Sequence, residues 1–419
     1  MKNKSLKTIR IKDLGLIITG NTPPTSKRHY YGDLYPLIKP TDMQKDGRFI
    51  GDTQEKLSQQ GYDLFKNKIL PKNVTCVVTI GTIGKLCLTK EPSFCNQAVN
   101  SIIVHKDKYN ALYVFYLMKT KIPQVKFLSS GTASGRENVS KSAFENIKIK
   151  VCPLSTQNKI ASILSAYDDL IENNTRRIKI LETMAQALYQ EWFVKFRFPG
   201  HEQVNMVESD LGLIPEGWEV KKLSEVTSYI RRGIAPKYDD ESKSIVINQK
   251  CIRNGRLNLE LARKHSKKVP DVKFVIFGDV LVNSTGVGTL GRVTQVYENL
   301  HDCTVDTHVT IVRPVDSINI DYFGISLLQL QQHFEHMGAG STGQTELNRH
   351  AMGEVNFLVP PISLQNSFSQ IVSPMRKFMI QAFIKNHNLR KTRDLLLPKL
   401  ISGQIDVENL DIDTGELAA

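Results

Sequence analysis

Two segments in the first third of the chain combine basic, aromatic and amide side chains with flexible backbone. Residues 20–32 read GNTPPTSKRHYYG, and residues 129–138 read SSGTASGREN. Lysine and arginine bind phosphate oxygens, arginine and asparagine also bind base edges, and aromatic rings stack on bases. Together with a lysine in an intervening turn, the candidate contact residues are Lys27, Arg28, Tyr30, Tyr31, Lys85, Arg136 and Asn138. An ordinary surface loop is an equal alternative for residues 20–32.

The second half of the chain contains matching segments. Basic and aromatic residues again form a first loop, a basic turn comes next, and residues 341–349 (STGQTELNR) form another loop of small residues. The candidate contacts here are Arg231, Arg232, Lys237, Tyr238, Lys250, Arg253, Arg256, Arg292, Gln344, Asn348 and Arg349. Both halves therefore predict loops that contact a polyanion.

No other group of side chains predicts catalysis or metal binding. Gly286-x-Gly288-x-x-Gly291 has the letters of a dinucleotide fingerprint, but residues 292–297 read as a strand where that fingerprint requires a helix. A tight turn between strands is the better interpretation. One His-x-x-His pair lacks a third ligand, and the six cysteines show no zinc spacing. We therefore predict no catalytic residue, no metal and no cofactor on this chain.

The net charge of +13 over 419 residues is concentrated at one end. Residues 1–153 carry 25 Lys and Arg against 11 Asp and Glu. This surplus favours a polyanion-binding module, with a lysine-rich surface kept for solubility as the alternative. Hydrophobic content of 41% predicts a soluble globular protein. Because no membrane span, secretory signal or disulfide pattern is recognisable, the expected location is the cytoplasm, and no membrane partner is expected.

The loops must be held by longer elements, and the clearest of these is a helix over residues 155–192. Apolar residues recur at alternating steps of four and three, the period of a helix that packs along another helix. These seam positions are Ile160, Leu164, Tyr167, Ile171, Asn174, Ile178, Leu181, Ala185, Leu188 and Trp192. Charged residues between them, Asp168 included, are expected to be solvated, and Ser155 is expected to be the N-cap. At about 1.5 Å per residue the helix would span roughly 60 Å, which suits a spacer.

The chain repeats itself with an offset of about 208 residues. Residues 153–158 (PLSTQN) match residues 361–366 (PISLQN). The repeat predicts a second long helix from residue 363 to 400 as the partner of the first. Its seam is less regular, because Asn386 and Arg393 occupy seam positions. Pro374 either kinks this helix or marks where its regular part begins, and a seam asparagine such as Asn174 can fix the register.

The predicted fold is α+β, with two β-rich α/β globular domains in tandem repeat and two long antiparallel helices that form a coiled-coil-like spacer. The predicted strands include residues 74–80, 85–89, 101–105, 244–248, 279–283 and 305–312, with a helix around 112–120. The predicted segments are a first globular domain (1–153), a central long helix (154–198), a linker and second globular domain (199–361), a C-terminal long helix (362–405) and a tail (406–419).

Three stretches give the chain a specific resemblance. Residues 174–193 run from NTRRI to LYQEWF, residues 213–218 read LIPEGW, and residues 389–406 run from LRK to LPKLISGQID. Together with the repeat, they make the chain resemble the DNA-specificity (S) subunits of type I restriction–modification enzymes over essentially its whole length.

The resemblance implies two target-recognition domains, each reading one half of a bipartite site in double-stranded DNA. The helices would set the unread spacer and dock two modification (M) subunits, with up to two restriction (R) subunits completing the enzyme. It also implies that this chain has no catalytic residues, that S-adenosylmethionine belongs to the M subunits, and that ATP and magnesium belong to the R subunits. A non-catalytic scaffold and a free-standing DNA-binding regulator are the alternatives. The regulator is disfavoured because no helix-turn-helix pattern is present.

Overall fold

The computed structural model describes residues 6–44, 46–131, 137–338 and 346–414, with Ser130 and Gly131 described by their backbone alone. The chain divides into two compact units. The first unit combines Met1–Thr175 with Ile384–Ala419, and the second unit is Arg176–Phe383. The central helix, Leu154–Tyr189, and the C-terminal helix, Ile362–Ile401, each contribute one end to each unit.

In the first unit, two sheets and a ribbon pack with the helices. The core sheet is antiparallel, in the order Gly15–Thr19, Val99–Val104, Thr75–Val78 and Leu86–Leu88. A smaller sheet, whose last pair is parallel, has the order Tyr31–Gly32, Lys56–Leu57, Tyr35–Ile38 and Phe94–Cys95. The N-terminal ribbon pairs Lys7–Arg10 with Lys148–Val151, and a short hairpin pairs Ser130–Gly131 with Glu137–Asn138. The shorter helices are Gln59–Phe65, Ala111–Phe127 and Lys141–Glu145.

The second unit repeats this plan. Its core sheet has the order Thr227–Arg232, Val309–Pro314, Val280–Asn283 and Val293–Gln295. The smaller sheet has the order Arg263–Lys264, Ile245–Ile247 and Cys303–Val305, again with a parallel last pair. The matching ribbon pairs Glu219–Lys222 with Asn356–Val359, and hairpins pair Met206–Ser209 with Gly212–Pro215 and Ile252–Arg253 with Arg256–Leu257. The shorter helices are Ile320–Gln329, Gln331–Met337 and Arg349–Gly353. The predicted sequence repeat is therefore a repeat of fold.

The predicted seam of the central helix is buried. In the first unit Ile160, Leu164 and Ile171 lie in the core. The two long helices run antiparallel there, since Asp168 pairs with Arg393 and Asn174 with Asn386. Asn174 donates through Nδ2 to Oδ1 of Asn386 at 2.9 Å, which gives both seam asparagines a partner. A buried asparagine pair costs stability but favours one register of the two helices over others.

The same packing continues in the second unit with aromatic side chains. Phe368 of the C-terminal helix lies 6.0 Å from the ring of Trp192 and 5.0 Å from that of Phe193. Tyr189 and Tyr322 stack at 6.1 Å in the same cluster. Aromatic burial of this kind gives the second unit a core that includes the end of the central helix and the π-helical turn Gln190–Val194 that follows it.

Asp168 is buried, not solvated as the sequence pattern predicted. It is 4% exposed, it accepts a hydrogen bond from the Tyr116 hydroxyl at 2.5 Å, and it forms an ion pair with Arg393. Burial raises the pKa of the Tyr116 phenol, which keeps the hydroxyl as a donor. The heptad period predicts only the residues that pack against the C-terminal helix. Asp168 also contacts a second helix, Ala111–Phe127, which the period does not predict. The seam position of Arg393 is explained by the same ion pair.

Several boundaries differ from the sequence prediction, and the two long helices end at Tyr189 and Ile401, before residues 198 and 405. The central helix begins at Leu154, so Ser155 lies inside its first turn and is not the N-cap. The C-terminal helix extends through Pro374, so this proline does not mark its start. The predicted strand over residues 305–312 is two strands, Cys303–Val305 and Val309–Pro314, because a turn between them begins a different sheet pairing.

A glutamine in the PLSTQN/PISLQN repeat joins each long helix to its globular domain. Gln157 is 1% exposed, and its Oε1 accepts from the backbone N–H of Asn110 at 3.0 Å while its Nε2 donates to the Cys152 carbonyl at 2.8 Å. Gln365 makes the same pair of bonds, with the Asn319 N–H at 2.9 Å and the Pro360 carbonyl at 2.7 Å. The conserved spacing within the chain thus satisfies buried backbone groups at equivalent places.

Candidate nucleic-acid interface

The first loop of each unit is rooted at a glycine that touches backbone. A Cβ added at Gly20 would lie 2.1 Å from the Cys95 carbonyl oxygen, and one at Gly233 would lie 1.7 Å from that of Val305. No larger residue fits without a backbone shift, so both loops leave the core sheet at a fixed point.

In the first unit, this loop carries four predicted contacts. Lys27 and Arg28 are exposed, and Tyr30 is half-buried beside them. The Tyr31 hydroxyl donates to the Pro23 carbonyl at 2.7 Å, which ties the two ends of the loop together, and burial raises the pKa of this phenol. The loop therefore presents its cations on a constrained backbone.

In the first unit, the turn that precedes Lys85 contacts the end of the small-residue loop 129–138. Gly81 N–H donates to the Glu137 carbonyl at 2.9 Å, and Ile80 forms a β-bridge with Asn138. Lys85 is half-buried, and its ammonium donates to the Pro40 carbonyl at 2.8 Å. Arg136 lies outside the described residues.

In the second unit, a hollow of about 690 Å³ brings four predicted residues together. Arg231, Arg232, Asn348 and Arg349 line it, with Tyr229, Gly233, Lys273 and Glu346. Four cations thus face one carboxylate, which favours an anion. Sequence reasoning missed Lys273, whose ammonium donates to the Gly233 carbonyl at 3.4 Å.

The side chains of this hollow differ in how they are held by the rest of the protein. Arg232 forms an ion pair with Glu346 and donates to the Leu347 carbonyl at 2.9 Å. The Asn348 side chain caps the helix Arg349–Gly353 by accepting from the His350 N–H at 2.7 Å. Arg231, Asn348 and Arg349 are exposed, and Arg231 also donates to the Ile230 carbonyl at 2.9 Å. The two exposed arginines are thus placed to reach a ligand, while Arg232 is held in the wall of the hollow. Gln344 lies outside the described residues.

The remaining candidates of the second unit lie away from this hollow. Lys237 is exposed. The guanidinium of Arg263 packs over the ring of Tyr238, 3.4 Å from its centre. Lys250 and Arg253 are exposed on and beside the hairpin Ile252–Arg253/Arg256–Leu257. These side chains are exposed but do not line the hollow.

Two predicted arginines have partners within the protein. Arg256 donates through both Nη2 (2.6 Å) and Nε (3.1 Å) to Oε1 of Glu182 on the central helix. Arg292 donates to the Gly288 carbonyl at 2.6 Å and so closes its own turn. DNA contact by these two residues stays a prediction.

Arg48 is the counterpart of Arg256 in the repeat and was missed by sequence reasoning. It is 6% exposed and forms ion pairs with Asp169 and Glu172 of the central helix. The offset of 208 residues between the two arginines was the available signal. In each unit, an arginine of the globular domain thus holds the central helix.

The glycine turn joins the antiparallel strands Val280–Asn283 and Val293–Gln295, as predicted. Gly286, Gly288 and Gly291 all have positive φ, and no helix follows the turn. The described residues contain no cluster of three or more His, Cys, Asp or Glu suited to a metal ion. Within the same described ranges, no helix is both long and apolar enough to cross a membrane.

Comparison with known proteins gives these loops their context. The type I restriction modification DNA specificity domain matches twice, at residues 3–183 and 215–387. The chain belongs to this DNA specificity family. The two matches coincide with the two copies of the repeat, each carrying its own loops.

The chain is similar to named specificity subunits, one of which matches it over almost its whole length. The chain is 28% identical to the type I restriction enzyme MjaIX specificity subunit of Methanocaldococcus jannaschii over 96% of its own length and 94% of that protein. It is 33% identical to the HindI specificity subunit of Haemophilus influenzae, over 41% of this chain and 38% of that protein. A crystal structure of the S subunit from M. genitalium shares the fold with a TM-score of 0.61 and 17% identity, covering 96% of this chain and 97% of that one. The specificity family thus accounts for the tandem architecture as a whole.

Proposed function

We propose that this specificity-family chain is the non-catalytic DNA-reading subunit of a type I restriction–modification enzyme. Each globular domain would read one half of a bipartite site in double-stranded DNA, the first domain taking the first half. The observation that supports this most is the doubled architecture, in which each copy carries loops with exposed cations on a fixed root.

The hollow of the second unit supplies a reading mechanism. Arg231 and Arg349 are exposed beside the fixed Arg232 and Lys273. Phosphate contacts by the cations would position the duplex, while an arginine fork would bind a base edge in the major groove. Reading of this kind needs no catalytic group, and in this proposal S-adenosylmethionine, ATP and magnesium are bound by partner subunits.

The long helices support docking of two M subunits. Large apolar side chains remain exposed on them in both units, among them Leu170 and Leu395 in the first unit and Ile180, Met184 and Phe378 in the second. Exposed apolar surface on an otherwise polar helix is typical of a protein interface. In this proposal one M subunit docks on each unit, and R subunits complete the enzyme.

Mapping methylated positions in DNA tests this proposal. The chain is expressed with the methyltransferase encoded beside it, and the modified sequence is expected to have two constant halves around an unread spacer. Arg231→Ala and Arg349→Ala should each relax the second half-site, because losing a base contact costs about 1–3 kcal/mol of discrimination. The first half-site should not change.

Lys243→Ala, at an exposed lysine outside the hollow, is the matched control and should leave both halves intact. A continuous methylated sequence without a spacer would contradict the bipartite reading. If the arginine variants stay active and methylate an unaltered second half-site, the hollow does not read that half-site.

A further inference from the structure

The first unit contains a second basic hollow that the reading loops do not use. It has a volume of about 400 Å³ and lies between the N-terminal ribbon, the helix Ala111–Phe127 and the end of the C-terminal helix. Its polar lining is three lysines and three hydroxyl residues, over an apolar floor that includes Ile149 and Ile401: Lys121, Lys148, Lys150, Thr8, Thr120 and Ser402.

The lysines of this hollow are uncompensated. No carboxylate lines the hollow, and among the described residues none of the three ammonium groups forms an ion pair. Lys148 and Lys150 are exposed, and Lys121 is half-buried. Three neighbouring like charges repel one another, so this arrangement favours an anionic ligand.

The hollow is separate from the reading loops. The N-terminal ribbon leads through Ile11–Leu14 into the start of the strand Gly15–Thr19, whereas the reading loop follows the end of that strand. Five residues of strand span about 16 Å. A ligand in the hollow would therefore lie at the opposite end of the core sheet from Lys27 and Arg28.

The repeat shows that the fold does not need these charges. The ribbon of the second unit has Asn356 and Leu358 where the first has Lys148 and Lys150, because Val220 pairs with Leu358 as Thr8 pairs with Lys150. Counted from the matching caps Asn110 and Asn319, Thr120 corresponds to Gln329.

The second unit has a hydrogen bond between neutral side chains at the equivalent place. Gln190, at the place of Pro398 in the repeat, donates through Nε2 to Oε1 of Gln329 at 3.2 Å. The neutral pair Gln190 and Gln329 thus corresponds to Pro398 and Thr120, which line the basic hollow of the first unit. The same architecture folds without the lysines, so a structural role does not account for them.

We propose that this hollow binds backbone phosphates of DNA outside the two half-sites, without regard to sequence. Lysines act as point charges toward phosphate, and the exposed Thr8 hydroxyl can donate to its oxygens. The hydroxyls of Thr120 and Ser402 already donate to the Leu117 and Lys399 carbonyls. No arginine, asparagine or glutamine lines the hollow to read a base edge. The contact would add salt-dependent affinity to that of the reading loops.

The lining favours DNA over a protein partner. The cores of protein interfaces are rich in aromatic residues and arginine and poor in lysine, whereas the hollow has three lysines, no aromatic residue and no arginine. Residues 1–153 carry nearly all of the net charge of the chain. The hollow therefore extends a basic character that the reading loops alone do not account for.

The test uses the full chain in complex with its methyltransferase. The hollow variant carries Lys121→Gln, Lys148→Asn and Lys150→Gln, and the control variant carries Lys72→Gln, Lys90→Gln and Lys106→Gln, three exposed lysines elsewhere in the first unit. Both lose three charges. Binding to a long duplex that lacks the recognised sequence is measured by anisotropy at several salt concentrations.

The slope of log affinity against log salt concentration should be smaller in magnitude by about 2–3 for the hollow variant than for the control variant. At low salt, the hollow variant should bind the long duplex about tenfold more weakly than the control variant. Binding to a short duplex that ends at the two half-sites should match the control, which separates this proposal from the reading function. Equal salt slopes in the two variants would overturn the proposal. Two further results would overturn it, both with unchanged binding to the long duplex. If the hollow variant no longer bound the methyltransferase, the hollow would be a protein-binding site. If it no longer bound inorganic tripolyphosphate, the hollow would be a site for a free phosphate ligand.

Discussion

At the scale of single residues, buried polar side chains join each long helix to its globular domain. Gln157 satisfies a backbone N–H of the helix Ala111–Phe127 and a carbonyl before the central helix, and Gln365 does the same in the second unit. The sequence repeat marks these glutamines but does not show their bonds, since they join segments nearly fifty residues apart.

Gln157→Ala should destabilise the first unit. The variant leaves the Asn110 N–H and the Cys152 carbonyl buried without this partner, and each such loss costs about 1–3 kcal/mol. Urea unfolding should show the transition of the first unit at lower denaturant, and Gln365→Ala should do the same to the second unit. Gln186→Ala, at an exposed glutamine of the central helix, is the control and should stay within about 0.5 kcal/mol of the parent. Equal effects of all three substitutions would contradict the buried role.

At the scale of elements, the long helices were the most predictable part of the molecule. Ile160, Leu164 and Ile178 are buried where the period places them, because apolar spacing reports directly on one packing partner. Asp168 escaped this logic, since Tyr116 lies on another helix that the period does not register. Arg48 escaped it as well, because the apolar period of a helix does not report that an arginine in a distant loop pairs with Asp169 and Glu172.

Lengthening both helices should lengthen the unread spacer. We expect that inserting seven residues after Arg177 and seven after Phe383 keeps the seam and both polar pairs of the first unit, Asn174 with Asn386 and Asp168 with Arg393. Two helical turns add about 10.5 Å, close to three base pairs of DNA. Methylation mapping should find the same half-sites about three base pairs farther apart.

The control for this prediction is an insertion into the central helix alone. It misaligns the two helices and should reduce stability without giving a new spacer. Altered half-site sequences in the double insertion, or an unchanged spacer, would contradict the role of the helices as a ruler.

At the scale of the whole molecule, the two units have the same plan but different binding surfaces. The proposed reading surface was predictable only as loops, because side-chain geometry decides that Arg231 and Arg349 are exposed while Arg232 is held by Glu346. The doubled family match supports independent reading by the two domains.

Exchanging residues 1–153 for those of a relative should change one half-site only. The first domain contacts the central helix through Arg48, so the donor should have an arginine at this place. Methylation mapping should show a new first half-site beside the original second one. The reciprocal exchange of residues 199–361 is the matched control and should alter the other half. A change of both halves in either chimera would show that the domains read jointly.

The first unit is assembled from both ends of the chain, whereas the second is one continuous segment. Leu397, Leu400 and Val407 belong to the same hydrophobic core as Ile160 and Leu164. On the ribosome, the N-terminal domain therefore emerges with part of its core not yet synthesised. At about 5–20 residues per second, translating the intervening 200 or so residues takes roughly 10–40 s. The second unit can therefore complete its core before the first unit does.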